Sequence, residues 1–414
     1  MPEQHRPVAV VVDLYTCSHF LLDAFTALGV DVVQVKSNPE LPAFGAEMAY
    51  LATVSGSDPA TLAGELARYS PIAVVAGQET DVLLADALSE RMGLPSNGTA
   101  LSSARRNKYD MAEALRRAGV RCAEQFKSGS AEEVVAWAEA AGRYPVVVKP
   151  LASAATDSVA ICADAGQVRK AADAILGTET IWGEANHEVL VQSYLDGVEY
   201  VVDMVSWQGR RYTCGVWEYR KRLVGVHNIY DYEVLLPAED SRVAELTGYV
   251  DSALRALGIS YGPTHAEVII TPDGPALVEV GARTAGNLSP AFHDQCLGAN
   301  QAGLTALAYA RPRDFLDRYA DRCYTALCQA WVYNTPTDRA GVVTHVDQDV
   351  VAEIQALPTV SEVIVKLRKG WRMTPTVDLL SSTLKVFMAA DSTQDLQRDY
   401  QRVTELKDRV YQLD

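Results

Sequence analysis

Two lysines lie in apolar segments of the sequence, where a charged side chain is unusual and indicates a function. A helix predicted over residues 104–118 carries Lys108, Met111 and Leu115 on one face, so the lysine faces inward. Lys149 ends the strand-like run YPVVVK and precedes a loop of small and hydroxyl-bearing residues that includes Ser153. A cation there, together with loop hydroxyls and N–H groups, suits a phosphate. Two other interpretations stay open: Lys108 could extend its head group to solvent at the helix start, and strands often end in lysine.

Two glutamates, Glu267 and Glu279, lie on the strands of a predicted hairpin over 263–271 and 276–280. The alternation of apolar residues places both carboxylates within reach of one point. Neighbouring carboxylates repel each other unless a cation joins them, and an oxygen site that bridges to phosphates suits Mg²⁺. Two glutamates on the solvated face of a hairpin is an equally good interpretation. Arg283 follows Glu279 by four residues, where a guanidinium can stabilise charge that develops on a phosphoryl group.

Substrate-binding residues are less sharply marked. His265 precedes Glu267 by two residues and therefore shares its strand face, where it could orient a carboxylate or pack in the core. The charged stretches 219–222 and 230–233 could supply an arginine for a carboxylate and an aspartate for an ammonium, although a solvated charged loop is the better expectation for most of them. The candidates for substrate binding are Arg220, Asp231, Glu233, His265 and Asn287.

The predicted secondary structure that positions these residues differs between the first hundred residues and the rest of the chain. Residues 8–14, 31–36 and 72–76 are apolar, β-branched runs separated by helical stretches, which indicates parallel βαβ units. The loop Gly77-Gln78-Glu79 after the third run could face a ligand or form an ordinary turn. Beyond residue 100 the pattern is α+β, with hairpins and a final helix over 392–413. We predict four domains: 1–100, 101–195, 196–320 and 321–414.

Composition excludes several classes of partner. The 414 residues include 37 Lys and Arg against 53 Asp and Glu, a net charge of −16 that disfavours nucleic acid and anionic membranes. Seven cysteines without a C-x-x-C pair indicate reduced thiols in a cytoplasmic protein. The sequence shows no signal-peptide pattern and no apolar run of membrane-spanning length.

Five segments, taken in order, resemble the ATP-grasp superfamily and more narrowly its carboxylate–amine ligases, which include bacterial L-amino acid (dipeptide) ligases. The segments are RRNKYDMAEALRRAGV, YPVVVKP, VQSYLDGVEYVVD, GPTHAEV and LVEVGARTAGN. The resemblance covers residues from about 100 to 310 and matches the family's flanking domains loosely. It implies an ATP-grasp fold, of mixed α/β and α+β class, between an N-terminal open α/β (pre-ATP-grasp) domain and a C-terminal lobe.

The resemblance also implies roles for individual residues. Those assigned to ATP are Lys108, Lys149 and Ser153 at the phosphates, Gln192, Tyr194 and Leu195 at the adenine, and Glu199 at the ribose. Those assigned to Mg²⁺ (or Mn²⁺) are Glu267 and Glu279. Those assigned to catalysis are Arg283, at the γ-phosphate or acyl phosphate, and the Gly286 backbone, at the tetrahedral oxyanion.

Two departures from the family pattern affect these roles. The phosphate-covering loop, usually rich in glycine, has Ala154 and Ala155 in its middle, and alanine is strained at positive φ. Gly281 stands two residues after the second metal glutamate, where the family often has an asparagine as a further metal ligand.

The reaction that this resemblance implies is an ADP-forming ligation. A carboxylate is phosphorylated by ATP, and an amine then displaces the phosphate to give an amide or peptide bond, with an amino acid as one substrate. The partners are small-molecule carboxylates and amines, and a homodimer is compatible with the family. Two alternatives stay open: a biotin-carboxylase-like subunit that makes carboxyphosphate, and a nucleotide-binding protein without catalysis.

Overall fold

The structure is a computed structural model of the chain. It describes residues 6–38, 49–142, 144–153, 158–180, 183, 185–224 and 227–414. The strands, in chain order, are β1 (Val8–Val12), β2 (Asp31–Lys36), β3 (Ala52–Ser55), β4 (Ala73–Ala76), β5 (Gln125–Ser128), β6 (Val146–Pro150), β7 (Ala160–Cys162), β8 (Val189–Ser193), β9 (Val198–Trp207), β10 (Arg210–Val224), β11 (His227–Leu235), β12 (Gly262–Thr271), β13 (Gly274–Gly281), β14 (Arg322–Cys323), β15 (Gln329–Thr335), β16 (Gly341–Val346), β17 (Val360–Val365), β18 (Arg372–Met373), β19 (Leu384–Ala390) and β20 (Tyr411–Leu413).

The α-helices are α1 (Phe20–Ala27), α2 (Pro59–Leu66), α3 (Val82–Arg91), α4 (Lys108–Arg117), α5 (Ala131–Ala141), α6 (Ala165–Ile175), α7 (Ser241–Ala256), α8 (Pro290–Leu297), α9 (Gln301–Ala310), α10 (Pro312–Arg318), α11 (Gln348–Gln355) and α12 (Thr393–Leu406). Short 3₁₀ turns connect several of them, including Glu79–Asp81 after β4 and Ser103–Arg105 before α4. None of the helices in the described part of the chain is long and apolar enough to cross a membrane.

The N-terminal strands form a parallel sheet in the order β3-β2-β1-β4. Every residue of β1 and β4 is buried, because α1 covers one face of the sheet and α2 and α3 pack against the other. Buried β-branched strands of this kind belong to βαβ units. The predicted parallel α/β arrangement is therefore confirmed for this part of the chain.

A second sheet is small and antiparallel, in the order β5-β8-β6-β7. Helices α5 and α6 pack on it through buried apolar side chains, among them Val134, Val148, Val168 and Val191. The sheet and its two helices carry Lys149 and Gln192 on neighbouring strands, where Val147 pairs with Gln192 and Lys149 with Leu190.

The third sheet is the largest and runs in the order β13-β12-β9-β10-β11-β15-β19-β17, with β14 added on β10. The β12–β13 hairpin forms one end of it, and strands from beyond residue 320 form the other. The predicted boundary near residue 320 therefore falls within a continuous sheet. The four-domain division itself stays a prediction.

Three sequence-based boundaries differ from the structure. The helix predicted over 104–118 begins only at Lys108, because Asn107 is extended and its side chain caps the helix by accepting from Tyr109 N and Asp110 N. The final helix ends at Leu406 and is followed by β20, which pairs with β16. The stretches 219–222 and 230–233 lie within β10 and β11, so the expectation of a solvated loop there is wrong.

Candidate active site

The two glutamates of the predicted metal pair face each other across the β12–β13 hairpin, where the register pairs Glu267 directly with Glu279. Burial, together with repulsion from Glu279 and Glu199, raises the pKa of Glu267 well above its usual range. Burial acts on Glu279 too, but the charges of Lys108 and Lys149 outweigh it and lower that pKa. Two partly buried carboxylates that repel each other are a donor set that fits a hard divalent cation.

No group of three or more His, Cys, Asp and Glu side chains that could hold a metal is present among the described residues. Gly281, at the position of the family's asparagine, has no side chain to contribute. A cation held by the glutamate pair would therefore take its remaining ligands from water and phosphate oxygens.

Lys108 joins the hairpin to the phosphate loop. It is the first residue of α4, it is 8% exposed, and its ammonium contacts the Glu279 carboxylate and donates to Ser153 O at 2.6 Å. The alternative that its head group extends to solvent is wrong. Ser153 is itself buried. Ala154 and Ala155, whose effect on the loop was expected, lie outside the described residues.

Lys149 lies next to the end of β6 and is 5% exposed. Burial, followed by repulsion from Lys108, lowers the pKa of Lys149 to about 8. Two buried ammonium groups beside two partly buried carboxylates form a site of balanced charge. Such a site gains a strong attraction for an anion once a divalent cation has been added.

The residues predicted to bind the nucleoside line the connection between the small and the large sheet. Gln192 is buried in β8 and donates to Gln125 Oε1 at 3.1 Å. Tyr194 and Leu195 lie between β8 and β9, with Tyr194 38% exposed. The chain therefore passes from the small sheet to the large sheet at these residues.

Glu199, predicted at the ribose, is buried at the start of β9. Its carboxylate accepts from Tyr230 Oη at 3.1 Å and pairs with Lys221, whose ammonium lies 4.5 Å from the centroid of the Tyr230 ring. Lys221 and Tyr230 belong to the charged stretches that sequence reasoning expected to be mostly solvated. Their contact with Glu199 depends on the pairing of β9, β10 and β11, which a local charge pattern does not reveal.

Arg283 folds back over Gly281 and reaches the N-terminal sheet. Its guanidinium donates to Glu79 Oε2 at 3.1 Å and to Thr284 O at 3.0 Å. A Cβ at position 281 would lie 3.2 Å from Arg283 Cζ, so the glycine provides the room for this path. Glu79 also lies 3.7 Å from Arg106 Nη1. From the sequence, the loop that contains Glu79 could either face a ligand or form an ordinary turn. Its contact with Arg283 shows that it faces the site.

Gly286 and Asn287 form a turn after Arg283. The Asn287 amide donates to Glu233, which lies on β11, and its oxygen accepts from Lys385 of β19. Burial raises the pKa of Glu233 to about 8, although the charge of Lys385 opposes the rise. The structure thus brings Glu233 and Asn287 together, and it adds Lys385, for which the sequence offered no motif.

His265 lies between two carboxylates. Its Nδ1 is 2.7 Å from Asp203 Oδ1, and its Nε2 is 3.9 Å from Glu267 Oε1. It is buried, as a core histidine would be, and it also points to the predicted metal pair. The shared strand face with Glu267 is confirmed. Asp203, directly opposite His265 on β9, was missed, since only the strand register reveals it.

Arg220 and Asp231, two of the candidates for substrate binding, each contact another side chain of the protein. Arg220 is exposed and pairs with Glu218 at 2.8 Å. Asp231 is buried, and its carboxylate accepts from Tyr400 Oη of α12 at 2.8 Å. The pairing of β10 and β11 is interrupted by a bulge at Asp231, which breaks the alternation that would have put this residue on the face of Glu233.

Comparisons with known proteins agree with this geometry. A family model described as ATP-grasp domain matches residues 142–291. The chain is 36% identical over 319 residues to dapdiamide A synthase from Enterobacter agglomerans, a match that covers 75% of each chain. It belongs to the ATP-grasp family and is an ATP-dependent carboxylate–amine ligase. Its sheets and helices adopt the ATP-grasp fold that the sequence predicted.

Two solved structures share the fold over almost the whole chain. An L-amino acid ligase from Bacillus licheniformis has a TM-score of 0.77 at 17% identity and covers 99% of both chains. The biotin carboxylase domain of the Hydrogenobacter thermophilus 2-oxoglutarate carboxylase, solved with MgADP, ADP and bicarbonate, has a TM-score of 0.68 at 15% identity, with coverage of 100% of this chain and 91% of that one. At these identities the similarity concerns the fold alone.

Proposed function

We propose that this ligase forms an acyl phosphate from a carboxylate and ATP, releases ADP, and transfers the acyl group to an amine, with an amino acid as one of the two substrates. The observation that carries the proposal is the contact of Lys108 with both Glu279 and Ser153 O, because it joins the phosphate loop to the carboxylate pair. Lys149, which is buried, and Arg283, which is half-buried, add two further cations around the same hairpin.

The chemistry requires a poor electrophile to be activated. A substrate carboxylate oxygen attacks the γ-phosphorus, and the bond to the ADP oxygen breaks. The amine nitrogen then attacks the acyl carbon, the carbon–oxygen bond to phosphate breaks, and the amine loses a proton. Lys108, Lys149 and Arg283 would stabilise the phosphoryl oxygens during the first transfer, since phosphoryl transfer depends mainly on positioning and electrostatics.

Glu267 and Glu279 would hold Mg²⁺ or Mn²⁺. When bound, the cation would neutralise phosphate oxygens and relieve the repulsion between the two carboxylates. Gln192, Tyr194 and Leu195 would bind the adenine, and Glu199 the ribose. Glu199 must then exchange its contacts with Lys221 and Tyr230 for ribose hydroxyls.

The proposal of an amino acid substrate rests on the names of the relatives and on polar side chains that the large sheet and the turn after Arg283 supply. One relative is called dapdiamide A synthase and one structural neighbour an L-amino acid ligase. Glu233 supplies an acid that accepts from the Asn287 amide, and His265 supplies an imidazole 3.9 Å from Glu267. A homodimer and a cytoplasmic location stay predictions from the sequence.

The test is phosphate release from ATP in a matrix of amino acids and small carboxylic acids, followed by mass analysis of products and nucleotides. We expect ADP and phosphate in equal amounts, only when an acid and an amine are both present, together with a product that has lost one water. Lys108→Met serves as the inactive control. Stoichiometric AMP and pyrophosphate would refute the acyl-phosphate route. Phosphate release with bicarbonate and no amine would favour the carboxylase alternative.

A further inference from the structure

The carbonyl oxygen of Gly286 accepts hydrogen bonds from two donors that lie far apart in the sequence. Cys17, in the short turn before α1, donates its Sγ–H at 3.0 Å, and Lys385 of β19 donates its ammonium at 3.3 Å. The same ammonium donates to Asn287 Oδ1. A single side chain from the C-terminal part of the chain therefore contacts two consecutive residues of the catalytic turn.

Fixing that carbonyl also fixes an N–H group. The peptide unit is planar and trans, so the Gly286 carbonyl and the Asn287 N–H point in opposite directions. Among the described residues, neither the Gly286 N–H nor the Asn287 N–H donates to an acceptor of the protein. The neighbouring Ala285 N–H, by contrast, donates to Gln301 Oε1 at 2.7 Å.

The space beside this turn is open. A Cβ added at Gly286 would meet nothing within 4 Å, and the residue is not among those with positive φ. Neither backbone conformation nor packing therefore requires glycine here. Two successive N–H donors without a protein acceptor, next to open space, leave room for an anionic atom of a bound reactant.

We propose that Lys385 is a positioning residue for the amide-forming half of the reaction, holding the Gly286–Asn287 peptide so that the Asn287 N–H, beside the Gly286 N–H, receives the developing oxyanion. This inference rests on the proposed function. When the amine attacks the acyl phosphate, the carbonyl oxygen gains the negative charge. The electron pair then re-forms the carbonyl double bond as the bond to phosphate breaks, and the phosphate leaves with the charge. Donors already aimed at that oxygen lower the barrier because they need no reorganisation.

Cys17 donates to the same carbonyl oxygen as a weaker donor. Glu233 completes the arrangement by accepting from the Asn287 amide, which leaves the amide oxygen oriented toward Lys385. Three side chains thus contact the turn, and among the described residues only Lys385 brings a full charge to its backbone.

The experiment separates the two half-reactions in the full-length protein. Acyl phosphate formation is followed without amine, as carboxylate-dependent scrambling of ¹⁸O from the β,γ-bridge of labelled ATP. Amide formation is followed by product analysis with both substrates. For Lys385→Met we expect scrambling close to the wild-type rate, a kcat for amide formation lowered by about 10- to 100-fold, and KM values near wild type. Lys385→Arg should recover part of the loss, because it restores charge and donors.

Two variants act as controls. Lys366 is a second lysine of the same region that donates to Ser382 Oγ at 2.7 Å and to a backbone carbonyl, so Lys366→Met tests for general damage and should leave both half-reactions close to wild type. Cys17→Ala removes the weaker donor and should give a smaller loss of the same selective kind. This variant keeps the test decisive if Lys385→Met does not fold.

Several results would overturn the inference. Equal loss of scrambling and amide formation in Lys385→Met would place the lysine in the first half-reaction. A raised KM for one substrate at unchanged kcat would make it a substrate-binding residue. Wild-type protein that makes amide without any carboxylate-dependent scrambling would refute the acyl phosphate itself, and the inference with it.

Discussion

Replacing Glu79 by glutamine tests whether the N-terminal sheet controls Arg283. The carboxylate is buried and lies 3.1 Å from Arg283 Nη2 and 3.7 Å from Arg106 Nη1. Glutamine keeps the size of the side chain and one acceptor oxygen, but it removes the charge that both guanidinium groups face. The substitution therefore changes electrostatics with little change in packing.

The expected size of the effect follows from these contacts. Breaking a buried ion pair by removing one partner costs about 3–5 kcal/mol, and a hydrogen bond to a charged group is worth about 1.5–3 kcal/mol. Because glutamine retains one hydrogen bond to Arg283, we expect a loss of about 2–3 kcal/mol in the free energy of unfolding. An arginine displaced by about 1 Å from the phosphoryl group loses on the order of 10²-fold in rate, so kcat should fall by about 10- to 100-fold.

The assay combines steady-state phosphate release with thermal unfolding, and the chain offers a matched control. The Asp86 carboxylate is about as buried as that of Glu79, and it pairs with Arg105 at 2.6 Å rather than with Arg283. Asp86→Asn should lower the melting temperature and leave kcat close to wild type, whereas Glu79→Gln should lower both. A Glu79→Gln protein with wild-type kcat and a lowered melting temperature would show that the pair is only structural.

Three further predictions concern the site directly. Glu279→Ala should abolish turnover while its circular dichroism spectrum stays that of the wild type. Glu267→Ala should reduce turnover somewhat less severely. Near-normal activity in either variant would refute the metal assignment. Arg283→Ala should lower kcat by on the order of 10²-fold with a modest change in KM. Arg283→Lys should recover little of this activity, since only the guanidinium matches a phosphate edge. An unchanged kcat with a lowered melting temperature in Arg283→Ala would show that Arg283 is a structural residue. Because burial and Lys108 lower the pKa of Lys149 to about 8, its charge is present below that pH and lost above it. The kcat/KM for ATP should therefore fall as the pH rises through about 8, and a profile without that limb would exclude Lys149 from ATP binding.

The hairpin that carries Glu267 and Glu279 could be predicted from the sequence because it depends on a local pattern. A turn at Pro272 and Asp273 and alternating apolar residues on both sides place Glu267 opposite Glu279, and the structure has that register. The buried strand that carries Lys149 was recognisable for the same reason. Patterns of this kind need only neighbouring residues, and no knowledge of how distant segments pack.

The supporting residues could not be found in this way. Glu79, Asp203 and Lys385 act through contacts with residues more than sixty positions away in the sequence. No local pattern links them to their partners. The stretches 219–222 and 230–233 were misjudged because charged residues usually indicate a solvated loop, whereas here they lie on two paired strands. The bulge at Asp231 further hid which side chains face inward.

The continuity of the large sheet has a consequence for shortening the chain. β11 pairs with β15 through Tyr232, Glu233 and Val234, and β15 in turn pairs with β19. A protein cut before β15 would expose the N–H and C=O groups along that edge of β11, together with apolar side chains that now pack against the C-terminal strands. Such an edge is a template for strand addition from another molecule. Removing the last hundred residues should therefore yield an aggregating fragment rather than a smaller nucleotide-binding protein.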